Sequence, residues 1–335
     1  MIVLGIETSC DETAVSICKD GEVLSNIISS QTVHSEFGGV VPEIASREHE
    51  RLLNNITIKA IKDASIKIDN IEGIAVTNGP GLAGSLLTGV SFAKGLALGL
   101  KVKIISINHL EAHIMANLLD KSNINFPFLC LLVSGGHTQV WSINKLDDYV
   151  LLGETRDDAA GEAFDKGSRI MGLGYPGGPE IEKCAIDGNP KLINFPRALI
   201  KSKKIEFSFS GVKTSLLYFM DSFNESQKYS IADVAASYQQ AIIDCLINKI
   251  ELAIVQTGIN IVTIAGGVAK NSVLRNQIKK TFPKNKIIFP DMNYCTDNAA
   301  MISFLGEIKF NLGSQSCLDF GIIPNFQLES NWTYL

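Results

Sequence analysis

Charge is scarce in this chain. Only 19% of its 335 residues are Asp, Glu, Lys or Arg, 46% are apolar, and the formal net charge is -5. That balance gives no global attraction to nucleic acid, and the apolar share suits well-buried sheets. The seven cysteines (Cys10, Cys18, Cys130, Cys184, Cys245, Cys295, Cys317) are scattered and form no C-x-x-C. They argue against a thiolate zinc site and for a reducing compartment. No secretory leader is expected either. The opening Met1-Ile2-Val3-Leu4-Gly5-Ile6 has no basic flank and soon reaches Glu7 and Asp11, so it reads as a strand. The most apolar later stretch, around Leu86 to Leu100, contains Lys94 and small residues, and is too polar and short for a membrane span. The expectation is a soluble, cytoplasmic protein.

The length exceeds the roughly 250 to 300 residues at which single cores stop growing, so two lobes are expected. Ile2 to Ile17 reads as strand, polar tip (Glu7 to Thr13), strand. Phe128 to Ile143 repeats the plan around Ser134-Gly135-Gly136-His137-Thr138. Two such hairpins about half a chain apart suggest an internal duplication, each opening one α/β lobe. The lobes are placed at residues 1–125 and 126–335, with the last helix free to return to the first lobe.

His109 and His113 stand four apart in Asn108-His109-Leu110-Glu111-Ala112-His113. On a helix both imidazoles share one face, and a distant carboxylate would complete a two-His, one-carboxylate metal site. Asp297, in Tyr294-Cys295-Thr296-Asp297-Asn298, is the candidate. Zinc peptidases place a glutamate directly beside one histidine, aimed at the metal-bound water, whereas Glu111 lies in the middle of the spacing. Asn108 as helix cap gives Glu111 a structural job at the third helical position instead.

Other segments suit an anion or a nucleotide. The amides of Ser134, Gly135 and Gly136 can approach one closely. Ile261 to Ala265 reads as a buried strand entering Gly266-Gly267 and then a helix, a turn against which a nucleotide can rest. Asp157 to Lys166 looks like a helix presenting carboxylates. Its Asp165 could hold the hydroxyls of a sugar, with Gly177-Gly178 letting the ligand lie on the chain. By contrast Gly79-Pro80-Gly81-Leu82-Ala83-Gly84 matches G-x-G-x-x-G without the later acid that a dinucleotide needs. It is read as a closely packed turn from a strand near Ile74 to Thr77 into a helix.

Taken together, Glu7 to Thr13, His109/His113, Val133 to Thr138, Gly161-Glu162-Ala163-Phe164-Asp165-Lys166, Tyr175-Pro176-Gly177-Gly178-Pro179, Phe207-Ser208-Phe209-Ser210-Gly211 with Lys213, and Cys295 to Asn298 resemble the bacterial tRNA threonylcarbamoyladenosine transferase family, in its motif order and over nearly the whole chain. The resemblance implies the two-lobed fold of actin, sugar kinases and Hsp70, with duplicated ribonuclease H-like lobes. It also implies transfer of threonylcarbamoyl from threonylcarbamoyl-adenylate to N6 of adenosine 37, in tRNAs reading codons that begin with A, with AMP leaving. By the same resemblance His109, His113 and Asp297 would bind a divalent metal, iron by preference or zinc. Leu132, Val133, Ser134, Gly135, Gly136, Asp165, Gly178 and Asn271 would hold the adenylate. An inactive paralogue and a small P-loop ATPase would be partners, and no membrane is involved.

Asp11 and Glu12, on the first hairpin tip, are candidates for handling the proton lost by N6. Archaeal relatives carry a metal-ligating Tyr where this chain has Leu132, so a fourth protein ligand is not expected. Glu182 stands where some relatives have Asp. For tRNA the chain offers Lys191, Arg197, Lys201, Lys203, Lys204 and Lys213 against a single Glu206, interleaved with Phe195, Phe207 and Phe209. Rival readings are a metallopeptidase and a non-catalytic nucleotide-binding scaffold.

Overall fold

The computed structural model describes residues 1–119, 124–226 and 228–328. They fall into two compact units. The first comprises residues up to 119 together with 290–328, and the second runs from 124 to 289. Each is built on a five-stranded mixed sheet.

In the first unit β1 (Ile2–Glu7), β2 (Glu12–Lys19) and β3 (Glu22–Ser30) form an antiparallel meander, and β4 (Gly73–Gly79) and β5 (Lys103–Asn108) add in parallel, giving the order β3-β2-β1-β4-β5. Both faces of the sheet are covered, so its central strands are apolar throughout rather than alternating. Helices α1 (Pro42–Asp63) and α2 (Ala83–Leu100) pack on one face, where Leu4, Ile6, Val15, Ile17, Leu53, Val76, Val90 and Ala93 form a core. Against the expectation that this stretch is too polar and short, α2 begins at Ala83 and so has the length and composition of a membrane span. Here Leu86, Val90, Ala93 and Ala97 are its buried stripe.

On the other face lies α9 (Ala299–Asn311), contributed by the C-terminal segment. It approaches so closely that a Cβ on Gly5 would stand 2.5 Å from the Ser303 amide nitrogen. The Gly79 to Gly84 turn does link a strand to a helix. Gly81 packs within 2.6 Å of the Ser9 carbonyl by the same test, and Ile323 N donates to Asn78 O across it at 2.7 Å.

The second unit repeats the plan. β6 (Phe128–Val133), β7 (Thr138–Lys145) and β8 (Asp148–Glu154) form the meander, and β9 (Ile261–Ala265) and β10 (Lys286–Ile288) add in parallel, in the order β8-β7-β6-β9-β10. The two orders correspond strand for strand, which is the duplication that the paired hairpins suggested. Helices α4 (Ala160–Ile170), α5 (Gly177–Cys184), α6 (Ser210–Ser226), α7 (Ile231–Thr257) and α8 (Ser272–Thr281) complete the unit. Helix α7 starts at a Ser230/Asp233 capping box and stops at Gly258, whose φ of 69° is left-handed.

Candidate functional site

Asn108 ends β5 and caps α3 (His109–Met115), its Oδ1 accepting from the amides of Leu110 at 2.9 Å and Glu111 at 3.2 Å. The four-residue spacing then turns both imidazoles the same way. Their rings meet edge to face, with centroids 4.6 Å apart. Asp297 arrives on the turn before α9. There Asn298 caps the helix through Met301 N and donates back to the carbonyls of Tyr294 and Thr296, which fixes the turn. His113 Nε2 lies 3.0 Å from Asp297 Oδ1, and His109 Nε2 lies 3.5 Å from the same oxygen. One ligand atom from each residue falls within 4.8 Å of the other two.

Glu7 ends β1 behind His109, with its Oε2 3.1 Å from His109 Nδ1, and Ser9 Oγ lies 3.2 Å from the same ring nitrogen. Ser9 N and Thr77 Oγ1 donate to the same carboxylate. Glu7 therefore holds the proton on Nδ1 and turns Nε2 toward Asp297, a common arrangement behind a metal-bound histidine. The charges agree. Burial would lower the His109 pKa, but the carboxylates of Glu7 and Asp297 hold it well above the imidazole range. Burial would raise Asp297, but His109 and then His113 hold it well below the carboxylate range. The buried Glu7 and half-buried Asp297 carboxylates attract a cation here, and two imidazoles with one carboxylate fit a divalent first-row metal.

Glu111 is directed elsewhere: Lys309 Nζ of α9 stands 2.8 Å from its Oε2. That geometry disfavours a peptidase base at this position. Burial, and then the charges of Asp297 and Asp11, push the Glu12 carboxyl well above its ordinary range. Asp11 is half-buried on the same tip, and its carbonyl accepts from Gln31 N.

In the second unit the Ser134-Gly135-Gly136 tip is closed by Ser134 N on His137 O at 2.8 Å, and both glycines are exposed with open space where a Cβ would project. Leu132 and Val133 are fully buried in β6, so only their backbone could serve a ligand. Helix α4 starts against this tip: Gly161 N donates to Ser134 O, and a Cβ on Gly161 would lie 2.5 Å from that oxygen. Asp165 Oδ1 accepts from Gly177 N at 2.7 Å, tying α4 to the start of α5, and Gly178 beside it has open space. Asn271 is buried. Its Oδ1 caps α8 through Leu274 N and its Nδ2 donates to Gln239, so its main visible work is to shape the turn after β9. Glu182 accepts from the Ser272 amide and hydroxyl and is occupied as a second cap of α8.

The basic segment divides. Arg197 pairs with Asp244 at 2.9 Å and Lys213 with Asp158 at 2.6 Å, while Lys201, Lys203 and Lys204 are exposed. Phe195, Phe207 and Phe209 are 1–2% exposed, so the aromatic interleaving belongs to the core and offers nothing for bases to stack on.

Three residues escaped sequence reasoning. Glu7 opens the first polar tip and its motif, but nothing local ties it to His109. Asp157 accepts from Ser208 Oγ, Phe209 N, Ser210 N and Ser210 Oγ, docking the start of α6 beside α4. Lys249 is a buried lysine on α7 with no nearby sequence signal.

A family model for tRNA N6-adenosine threonylcarbamoyltransferase matches residues 22–304. Relatives bearing that description include those of Thermosipho africanus, 47% identical over 98% of this chain and 100% of that one, and Kosmotoga olearia, 49% identical over the same shares. The relative in Clostridioides difficile is 45% identical, covering 98% of each chain. Among solved structures, full-length HypF in its phosphate- and nucleotide-bound form aligns with TM-score 0.62 at 12% identity, over 92% of this chain and 46% of that one. The activator of the 2-hydroxyisocaproyl-CoA dehydratase from Clostridium difficile aligns with TM-score 0.55 at 15% identity, over 95% and 99%. At those identities the likeness concerns the fold alone.

Proposed function

The chain belongs to the tRNA N6-adenosine threonylcarbamoyltransferase family, and from that premise we propose that it transfers threonylcarbamoyl from threonylcarbamoyl-adenylate to N6 of adenosine 37 in tRNAs reading codons that begin with A. The N6 nitrogen attacks the carbamoyl carbon, the bond from that carbon to the phosphate oxygen breaks, AMP leaves with the electron pair, and N6 gives up one proton. The observation that carries this reading is the convergence of His109 Nε2, His113 Nε2 and Asp297 Oδ1, with Glu7 behind His109.

The acyl carbon of a mixed anhydride is already activated. What remains for the protein is to orient the amine, exclude water and stabilise the developing oxyanion. His109, His113 and Asp297 would hold a divalent metal, iron by preference and zinc as the alternative. When bound, that ion supplies a Lewis acid for a substrate oxygen. The Ser134 to Gly136 turn takes the phosphate through its exposed glycine amides, the backbone of Leu132 and Val133 lines the same approach, and Asp165, Gly178 and the turn shaped by Asn271 take the nucleoside. Asp11 and Glu12 are the groups assigned to the N6 proton.

Lys201, Lys203 and Lys204 are assigned to tRNA, with Arg197 and Lys213 supporting that surface through their aspartate pairs. An inactive paralogue and a P-loop ATPase are the assigned partners, and the cytoplasm is the site of action.

The test measures metal content and label transfer together. Wild type is expected to carry about one divalent ion per chain and to modify tRNA, and His113→Ala to lose both. Transfer that persists in a metal-free, folded His113→Ala would refute the role of the triad.

A further inference from the structure

Residues 189–204 of the second unit form no regular element, yet they are laid along α7 by a regular series of bonds. Asn189 N donates to Asp233, and Asn189 O accepts from Ser237. Ile193 N donates to Ser237 Oγ, and Arg197 grips Asp244. Farther along, Gln256 Nε2 donates to Lys203 O at 3.0 Å. The rail from Asp233 to Gln256 spans about 35 Å at the helical rise.

The strongest clamp is Lys249. Its side chain is buried, and its ammonium donates to the carbonyls of Leu199 at 2.8 Å, Ser202 at 2.9 Å and Lys204 at 3.1 Å. All three of its protons are thereby used on one short turn. Burying an ammonium without a bonded carboxylate is costly, and the turn so fixed presents Lys201, Lys203 and Lys204 to solvent. Like charges crowded on a rigid turn oppose folding. Their arrangement has a use if a polyanion lies across them.

The strap contains no acid. Toward its beginning, a groove of about 650 Å³ opens between it and helices α7 and α8. Lys191, Arg197 and Lys280 line it, and Asp244, the carboxylate among the lining residues, is neutralised by Arg197. Gln240 and Gln277 exchange amide hydrogen bonds at 3.0 and 2.7 Å across its floor and join the two helices.

We propose that the strap and groove form one continuous track for the tRNA phosphate backbone, with Lys191 and Lys280 at one end, Lys201, Lys203 and Lys204 at the other, and Lys249 as the positioning residue that holds the far end rigid. This rests on the function proposed above and extends the basic segment assigned there to the groove beside α8, to Lys280 and to the Lys249 clamp. Counterion release makes such a track measurable, because each phosphate contact contributes roughly 0.7–0.9 to the slope of log affinity against log salt.

The test measures tRNA binding across a salt series, alongside threonylcarbamoyl-adenylate binding and transfer, with the full chain as wild type, Lys191→Gln/Lys280→Gln and Lys249→Met. The surface double variant should bind tRNA more weakly, with a slope shallower by roughly 1.4–1.8, and keep its affinity for the adenylate. Lys249→Met should raise KM for tRNA while kcat at saturating tRNA is retained. Unchanged slope and affinity in the double variant, with a wild type that transfers normally, would overturn the track. If the wild type makes no transfer at all, the proposed function fails instead, and the salt slope of binding still judges the track on its own.

Discussion

Replacing Glu111 by Gln separates a structural glutamate from a catalytic one. The Glu111 side chain is 4% exposed, and its carboxylate meets Lys309 Nζ at 2.8 Å, the lysine being 18% exposed. Removing one partner of a buried pair costs about 3–5 kcal/mol, because the other charge is left uncompensated. The partial exposure of Lys309 places this case near the lower end, about 3 kcal/mol. For a unit of this size each kcal/mol lowers Tm by about 2–4 °C, so Glu111→Gln is expected to melt roughly 6–12 °C below wild type. Calorimetry reads the shift, and a transfer assay well below the melting point reads the activity of the folded protein. Most of the activity should persist, and Glu111→Met/Lys309→Met should recover much of the stability, since an apolar pair can replace a buried ion pair. Wild-type stability with abolished turnover in Glu111→Gln would refute this reasoning and make Glu111 a catalytic group.

Gly161→Ala drives a Cβ to within 2.5 Å of Ser134 O and 2.7 Å of Gly135 N. It should cost roughly 1–3 kcal/mol and weaken adenylate binding about tenfold or more, without changing tRNA affinity, as read by calorimetric titration. The second unit should also lose stability in acid. Burial would raise the Asp157 pKa, but the Ser208 and Ser210 hydroxyls and the Phe209 and Ser210 amides hold it below the usual carboxylate value. A carboxyl lowered on folding contributes above about pH 4, and that contribution disappears as the pH falls through the lowered value. Urea denaturation at several pH values should show this loss, with a smaller pH dependence in Asp157→Asn. Chelation should lower the melting temperature of the first unit, since a ligand at a hundredfold excess over Kd contributes about 2.7 kcal/mol. His113→Ala should melt at the same temperature with and without chelator.

The architecture was legible wherever a local pattern determined it. The hairpins at Ile2 to Ile17 and Phe128 to Ile143 showed as apolar runs around polar tips, and they became β1/β2 and β6/β7 of two equivalent sheets. The third strand of each meander, Glu22–Ser30 and Asp148–Glu154, carries polar residues along a mixed burial pattern and gave no comparable signal. At the candidate metal centre the cap and spacing of Asn108 to His113 were readable from the chain. The Glu7–His109 bond was not, because it joins residues about a hundred positions apart. For the same reason the basic segment misled: Lys213 and Arg197 look free in sequence, but Asp158 and Asp244 approach them only in the fold. The adjacent Phe207 and Phe209 point into the core.

The most direct test of the central claim supplies labelled threonylcarbamoyl-adenylate to the metal-loaded chain and its assigned partners. It uses two transcripts of one tRNA reading a codon that begins with A, one unaltered and one with guanosine in place of adenosine 37. Label is expected in the first transcript alone, on N6 of that adenosine by mass spectrometry, with AMP released in equal amount. Equal labelling of both transcripts, or AMP released with no label on either, would contradict it.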